Sequence, residues 1–142
     1  MSKIEIINQS NTIWNQVSLD DYENHMAHDS VGQLQLLNLL TKQYLSKHKP
    51  RNPLFLGIAG GNGLEHIDPT LVHHVVGIDI NEAYLKQTEI RFQDKFPQLK
   101  LIKCNVDETT ECFIKSDFIW AALFLEYVDL TNCIRFMLNN LA

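Results

Sequence analysis

"FLGIAGGNGLEHI", residues 55–67, decides how the rest of the chain is read. A short apolar run feeds into a patch holding Gly57, Gly60, Gly61 and Gly63, four of the chain's six glycines. The run is too short for a helix and is followed by turn residues. It reads as a buried strand that ends in a tight turn. Glycines without a Cβ permit a left-handed backbone and let a ligand approach the chain closely. In an open parallel sheet, ligands sit past the carboxyl ends of the strands. The glycine patch is therefore delivered to a binding site, and a nucleoside is the expected occupant.

Outward from this stretch, strands and helices alternate. "HVVGIDI" (74–80) is β-branched and ends at Asp79. An acid at the tip of a second strand accepts both hydroxyls of a ribose. "NEAYLKQTEIRFQDKF" (81–96) predicts a helix capped by Asn81, with Leu85, Phe92 and Phe96 on one face and Pro97 as its stop. "LKLIKC" (99–104) predicts a third strand. "DFIWAALFL" (117–125) is apolar on both faces, as a central parallel strand would be. "LTNCIRFMLNNL" (130–141) returns to helical spacing through Ile134, Leu138 and Leu141. Alternation of this kind means a parallel sheet with helices on its faces and right-handed crossovers.

Upstream, Ser18 caps a short helix in "SLDDYENHM" (18–26). Ser30 and Gln33 have capping-box spacing, which makes Gln33 a capping partner rather than a ligand group. Leu37, Leu40 and Tyr44 share a helical face. The expected division is a helical N-terminal extension over residues 1–50 and an α/β core over residues 51–142.

Composition narrows the function classes. The chain has 142 residues, 45% apolar and 20% charged, which suits one globular domain. A formal charge of −5 argues against a nucleic-acid backbone as partner, because phosphate binding needs clustered Lys and Arg. No run reaches membrane-spanning length and no apolar signal core opens the chain. Cys104, Cys112 and Cys133 are odd in number and show no CxxC pattern, so they read as buried thiols. A cytoplasmic protein without a metal site is expected. His73 and His74 stand at a strand entrance and read as structural. Trp120, inside an apolar run, reads as core.

Two ligand classes use a glycine turn with an acid on the second strand. A dinucleotide fold wants G-x-G-x-x-G, with the last glycine admitting close helix packing. Here the frame beginning at Gly61 ends in His66, so that fingerprint fails. S-adenosylmethionine carries no phosphate; it needs the glycine turn for its methionine part and the acid for its ribose.

The stretch from Leu54 to about Leu141 resembles a class I S-adenosylmethionine-dependent methyltransferase, a Rossmann-like α/β fold. "LFLGIAGGNG" is similar to the family's first motif, with Ala59, Gly61 and Gly63 on its glycine positions and Gly60 between them. Gly57 stands where the family often has an acid that contacts the methionine amino group. "VVGIDIN" resembles the second motif, which implies Asp79 as ribose acceptor and Ile80 against the adenine. "LKLIKCNVD" resembles the third strand and its end. The resemblance implies Asn105 at the adenine amino group, Val106 beside it, and Asp107 as a second candidate; Asn105 is also turn-forming by nature. "SDFIWAALFLEYV" is similar to the fourth strand, which places Ala121 and Ala122 near the methionine end and Glu126 at the mouth.

The resemblance implies strand order 3-2-1-4 for the part present, in a sheet that usually has seven strands. The chain is therefore expected to be a piece of a longer methyltransferase, or to be completed by a partner. The strand at 117–125 would be an apolar edge, and two copies are expected to pair or aggregate through it. No N-P-P-Y-type tetrapeptide follows that strand, where Ala121-Ala122-Leu123-Phe124 stand instead. That counts against exocyclic or amide nitrogens as acceptors and leaves a small molecule as the default. The N-terminal helix is expected to act as a lid, with Tyr22 against the cofactor. Candidate bases are His25, His28, Glu126 and Tyr127. Gly61→Val is expected to abolish binding while leaving the fold nearly intact. The preferred function is methyl transfer from S-adenosylmethionine to a small-molecule acceptor. A non-catalytic nucleoside-binding module comes second, and a nucleotide-dependent oxidoreductase third.

Overall fold

The computed structural model describes residues 4–8, 13–111 and 115–142. Cys112 lies outside them. The strands are β1 (Glu5–Ile6), β2 (Pro53–Leu56), β3 (Val75–Asp79), β4 (Leu99–Lys103) and β5 (Phe118–Trp120). The helices are α1 (Leu19–Ala27), α2 (Gln33–His48), α3 (Glu82–Phe92) and α4 (Leu130–Asn140). All strand pairs are parallel, in the order β1-β4-β3-β2-β5. Helices cover both faces. The fold is the Rossmann-like α/β sheet that the alternation implies, and the core order 3-2-1-4 is present in β4-β3-β2-β5.

The central strands are buried along their whole length. β2 and β3 have no exposed residue, which is why they read as continuous apolar runs rather than alternating ones. One sheet face packs Phe55, Val75 and Leu101 against Leu45 of α2 and Leu85 of α3. The other packs Leu54, Val76 and Ile102 against Cys133 and Phe136 of α4. Local caps do what their residue types dictate. Ser18 Oγ accepts the Asp21 N–H, and Asn81 Oδ1 accepts those of Ala83 and Tyr84.

Several expectations need correction. The first fifty residues are not all helical: Glu5–Ile6 adds a fifth strand, pairing with Ile102 and Lys103 of β4. Two residues are too few for a periodicity to register. The Ser30–Gln33 capping box does not form. Ser30 bonds the His28 ring, and α2 begins after Gly32, whose φ of +62° only glycine adopts readily. The buried face of α2 holds Thr41 and Leu45, one residue on from the expected stripe.

In α4 the expected face of Ile134, Leu138 and Leu141 is turned outward, at 47, 65 and 41% exposure. Cys133 and Phe136 fill the core instead, because the helix carries apolar residues on two sides. The run 117–125 forms only three residues of strand. Beyond Trp120 the chain turns at Leu123, with φ +53°, and enters a short 3₁₀ turn at Leu125–Tyr127. Trp120 is half-buried, with its ring 5.4 Å from that of Tyr44. Among the described residues no helix is long and apolar enough to cross a membrane.

Candidate functional site

A cleft of about 790 Å³ opens at the carboxyl ends of the strands, a size suited to a small-molecule ligand. Its floor is Gly57 and Ala59 after β2, Asp79 and Ile80 at the end of β3, and Cys104 to Asp107 after β4. One wall comes from Ala122, Leu123, Phe124, Glu126, Tyr127 and Val128 after β5. The opposite wall is the N-terminal segment, including Trp14, Tyr22, His25 and Gln33.

Asp79 is the centre of this arrangement. It is 9% exposed. Its Oδ2 accepts the Ala59 N–H at 2.9 Å and its Oδ1 accepts the Asn81 N–H at 2.9 Å. One carboxylate thus ties the turn after β2 to the cap of α3. A carboxylate has about four acceptor positions in all, and Asp79 lines the cleft. Burial outweighs these bonds and pushes its pKa up to about 6. The folded state then holds a proton more readily than the unfolded chain. This contribution to stability is full below the ordinary value of 3.8 and is lost as pH rises through about 6. The loss is expected to be about 3 kcal/mol at most, at ~1.4 kcal/mol per pH unit. Urea midpoints of the wild type and Asp79→Asn between pH 4 and 7.5 check it. A difference between the two that does not vary with pH counts against the titration of Asp79.

Ala59 holds a left-handed backbone with φ +48°. Its N–H is fixed by Asp79, and its carbonyl accepts the buried Thr88 hydroxyl at 2.7 Å. The left-handed conformation costs a residue with a Cβ about 1–2 kcal/mol. Ala59→Gly should therefore stabilise the chain, by about 0.5–1 kcal/mol after the entropy cost of glycine. A rise in the urea midpoint is the expected observation, and a fall would show that the Cβ makes a needed contact.

The glycines after Ala59 act on the protein side of the turn. Gly60, Gly61 and Gly63 are not in the cleft lining. A Cβ on Gly61, at φ +83°, would lie 2.7 Å from the Phe92 ring, and one on Gly63 would lie 2.6 Å from the Thr41 methyl. They let α2 and α3 pack closely on the turn. The expectation that Gly61→Val spares the fold is therefore corrected: its side chain would enter the core. Asn62 accepts the Asn38 amide at 2.9 Å and donates to the Leu34 carbonyl at 2.9 Å, which fastens the same turn to α2.

The N-terminal segment is docked over the cleft. The Asn81 amide donates to the Trp14 carbonyl at 2.8 Å, and the Tyr84 hydroxyl to the Val17 carbonyl at 2.7 Å. Arg91 of α3 donates to both carboxylate oxygens of Glu23 on α1, at 2.8 and 2.9 Å, and to the Gly60 carbonyl at 3.0 Å. Trp14 meets the Tyr127 ring edge-to-face at 4.9 Å, so the two walls touch across the opening. Burial, with the Asp79 charge second, raises the pKa of Tyr22.

Of the residues singled out in the sequence, the cleft brings together Tyr22, His25, Ala59, Asp79, Ile80, Asn105, Val106, Asp107, Ala122, Glu126 and Tyr127. Ala121 and His28 are not in its lining. Asn105 acts locally as a turn former, its Oδ1 accepting the Asp107 N–H at 3.0 Å. Gln33 lines the cleft, contrary to its reading as a capping partner only. Trp14, Val17, Tyr84 and Phe124 also line it and were not foreseen. Tyr84 had a local signal, since it lies three residues after the Asn81 cap. Trp14 had none, because its place depends on a tertiary bond to Asn81. Cys104 lines the cleft too, but burial pushes its pKa up to about 12, so it stays a thiol and not a nucleophile.

Comparison with solved structures places this architecture. The N-methyltransferase NodS from Bradyrhizobium japonicum WM9, solved with S-adenosyl-L-homocysteine, matches with a TM-score of 0.63 and 19% identity. The match covers 87% of this chain and 67% of that one. The plantazolicin methyltransferase BpumL, in complex with a monoazolic desmethylPZN analog and S-adenosylhomocysteine, matches at 0.59 and 18%, over 87% of this chain and 49% of its own. CalS10, an amino pentose methyltransferase from Micromonospora echinaspora solved with S-adenosylmethionine, matches at 0.56 and 15%, over 94% and 54%. The fold is that of class I S-adenosylmethionine-dependent methyltransferases. This chain spans about half to two thirds of the length of these three proteins. No protein-family model matches the chain, and no curated protein does.

Proposed function

We propose that the chain binds S-adenosylmethionine in this cleft and serves methyl transfer to a small-molecule acceptor. One observation carries the reading: a buried carboxylate, Asp79, stands at the end of β3 and lines a cleft in which Gly57 and Ala59 follow β2 and Ala122 follows β5. The fit to the adenosyl group is chemical. Asp79 has acceptor capacity left for ribose hydroxyls. Ile80 and Val106 offer apolar contact to an adenine, with Asn105 and Asp107 at its polar edge. Gly57, Ala59 and Ala122 leave room for the methionine part. Gly57 supplies no carboxylate for the amino group, and a Cβ there would lie 2.7 Å from the Phe124 ring.

When bound, the sulfonium supplies an activated methyl group. The chain's own task is to position an acceptor and exclude water, which suffices for an in-line displacement. The docked segment from Trp14 to Met26 supports water exclusion. His25, Glu126 and Tyr127 stand on the lining as candidate bases for an acceptor that carries a proton. A crystal grown with S-adenosylhomocysteine tests the reading. Density for the ribose against Asp79 is expected, and density elsewhere with an empty cleft would count against it.

The proposal extends to assembly. Among the described residues β5 is the last strand on its side of the sheet, with one isolated bridge from Ser116 to Leu141 next to it. Close by in sequence, α4 presents Leu130, Ile134 and Leu138 outward. An apolar edge of this kind invites pairing with a second copy. Sedimentation is expected to show self-association. A monodisperse monomer at high concentration would contradict it.

A further inference from the structure

The walls of the cleft carry an unbalanced charge. Asp21, Asp79, Asp107 and Glu126 line it, and among the described residues no lysine or arginine does. A bound S-adenosylmethionine brings a sulfonium, an ammonium and a carboxylate, a net charge of one positive. That does not balance four acids. Asp79 is committed to the ribose on the reading above, and Asp107 Oδ1 accepts the Asp129 N–H at 3.0 Å. Asp21 and Glu126 are both exposed and are not used by the donor, and Glu126 is hydrogen-bonded to the Tyr127 side chain beside it.

The aromatic groups of the same cleft point the same way. Trp14 lies edge-to-face with Tyr127 at 4.9 Å and with Tyr22 at 6.2 Å. The faces of such rings attract cations, and Trp does so most strongly. Carboxylates and aromatic rings without a competing lysine or arginine form a place for an ammonium ion. A cleft walled by one sign of charge also concentrates ligands of the opposite sign.

We propose that the methyl acceptor is a small amine, held as its ammonium ion by Asp21, Glu126 and the rings of Trp14 and Tyr127. The proposal rests on the methyltransferase reading of the cleft. An ammonium ion has no lone pair, so one N–H proton must leave before transfer. His25, on the same lining, takes it and passes it to solvent, to which it is open. The freed nitrogen lone pair then forms the N–C bond as the C–S bond breaks, and the electron pair of that bond stays on sulfur. Carboxylate acceptors are repelled by the same walls, and neutral alcohols gain nothing from them.

Calorimetry on the full chain saturated with S-adenosylhomocysteine tests this, with benzylamine, benzyl alcohol and benzoate as probes of matched shape. Benzylamine is expected to bind at least about tenfold tighter than benzyl alcohol, with benzoate weakest. In the double variant Asp21→Asn, Glu126→Gln that preference should fall to within about twofold. Both residues are exposed, so the variant is expected to fold. Equal binding of the three probes, binding of none, or a preference that survives the double substitution overturns the proposal. Failure of S-adenosylhomocysteine itself to bind overturns the methyltransferase reading, and this proposal with it.

Discussion

Asp79→Ala is expected to weaken S-adenosylhomocysteine binding by roughly a hundredfold or more. On the proposed reading two ribose hydroxyls lose a charged acceptor, and each such bond contributes about 1.5–3 kcal/mol. Even about 3 kcal/mol in total is roughly a hundredfold in affinity. The substitution also strips the Ala59 and Asn81 N–H groups of their acceptor, so the turn after β2 loosens at the same time. Asp79→Asn separates the two effects: its amide oxygen can still serve one N–H, but it cannot accept both hydroxyls as an anion. Affinity of the wild type should also fall with acid. With a pKa of about 6, the ionised acceptor is lost below that pH. If only the ionised form binds, affinity falls about tenfold per pH unit there. Calorimetry at several pH values measures both effects. An unchanged dissociation constant in a folded Asp79→Ala variant would remove Asp79 from the ribose.

Gly61→Val is expected to destabilise the chain by about 2–5 kcal/mol. A branched residue forced to φ +83° costs about 1–2 kcal/mol, and overpacking adds about 1–3 kcal/mol. The new Cβ would lie 2.7 Å from the Phe92 ring and 3.1 Å from Leu64 Cδ1, both in or against the core. Thermal unfolding should fall by about 10 °C. A variant as stable as the wild type that has lost ligand binding would return Gly61 to the cleft.

The sheet was legible because its signals are local. Buried parallel strands must be apolar on both faces, and β2 and β3 are. Asn81 and Ser18 cap helices with their own side chains, which sequence alone reveals. Asp79 was legible because a charged residue at the end of such a strand needs a reason. What stayed hidden depends on contacts far apart in the chain. β1 exists only through its pairing with β4. The outward stripe of α4 is as apolar as parts of its buried face, and only the fit of Phe136 under the sheet selects the orientation. The strand after Asp117 stops early because the chain turns at Leu123, a residue with no turn propensity to give notice. The glycines were read correctly as a tight turn, but the neighbours that need the space are Phe92 and Thr41, on helices whose packing no local pattern reports.

The central claim is that this cleft is built for an adenosyl sulfonium donor and not for a dinucleotide. Calorimetric titration of the 142-residue chain with S-adenosylhomocysteine, and separately with NAD, tests it most directly. The account predicts saturable one-to-one binding of S-adenosylhomocysteine that Asp79→Ala weakens by roughly a hundredfold or more, and no heat with NAD. Binding of NAD without binding of S-adenosylhomocysteine would contradict it.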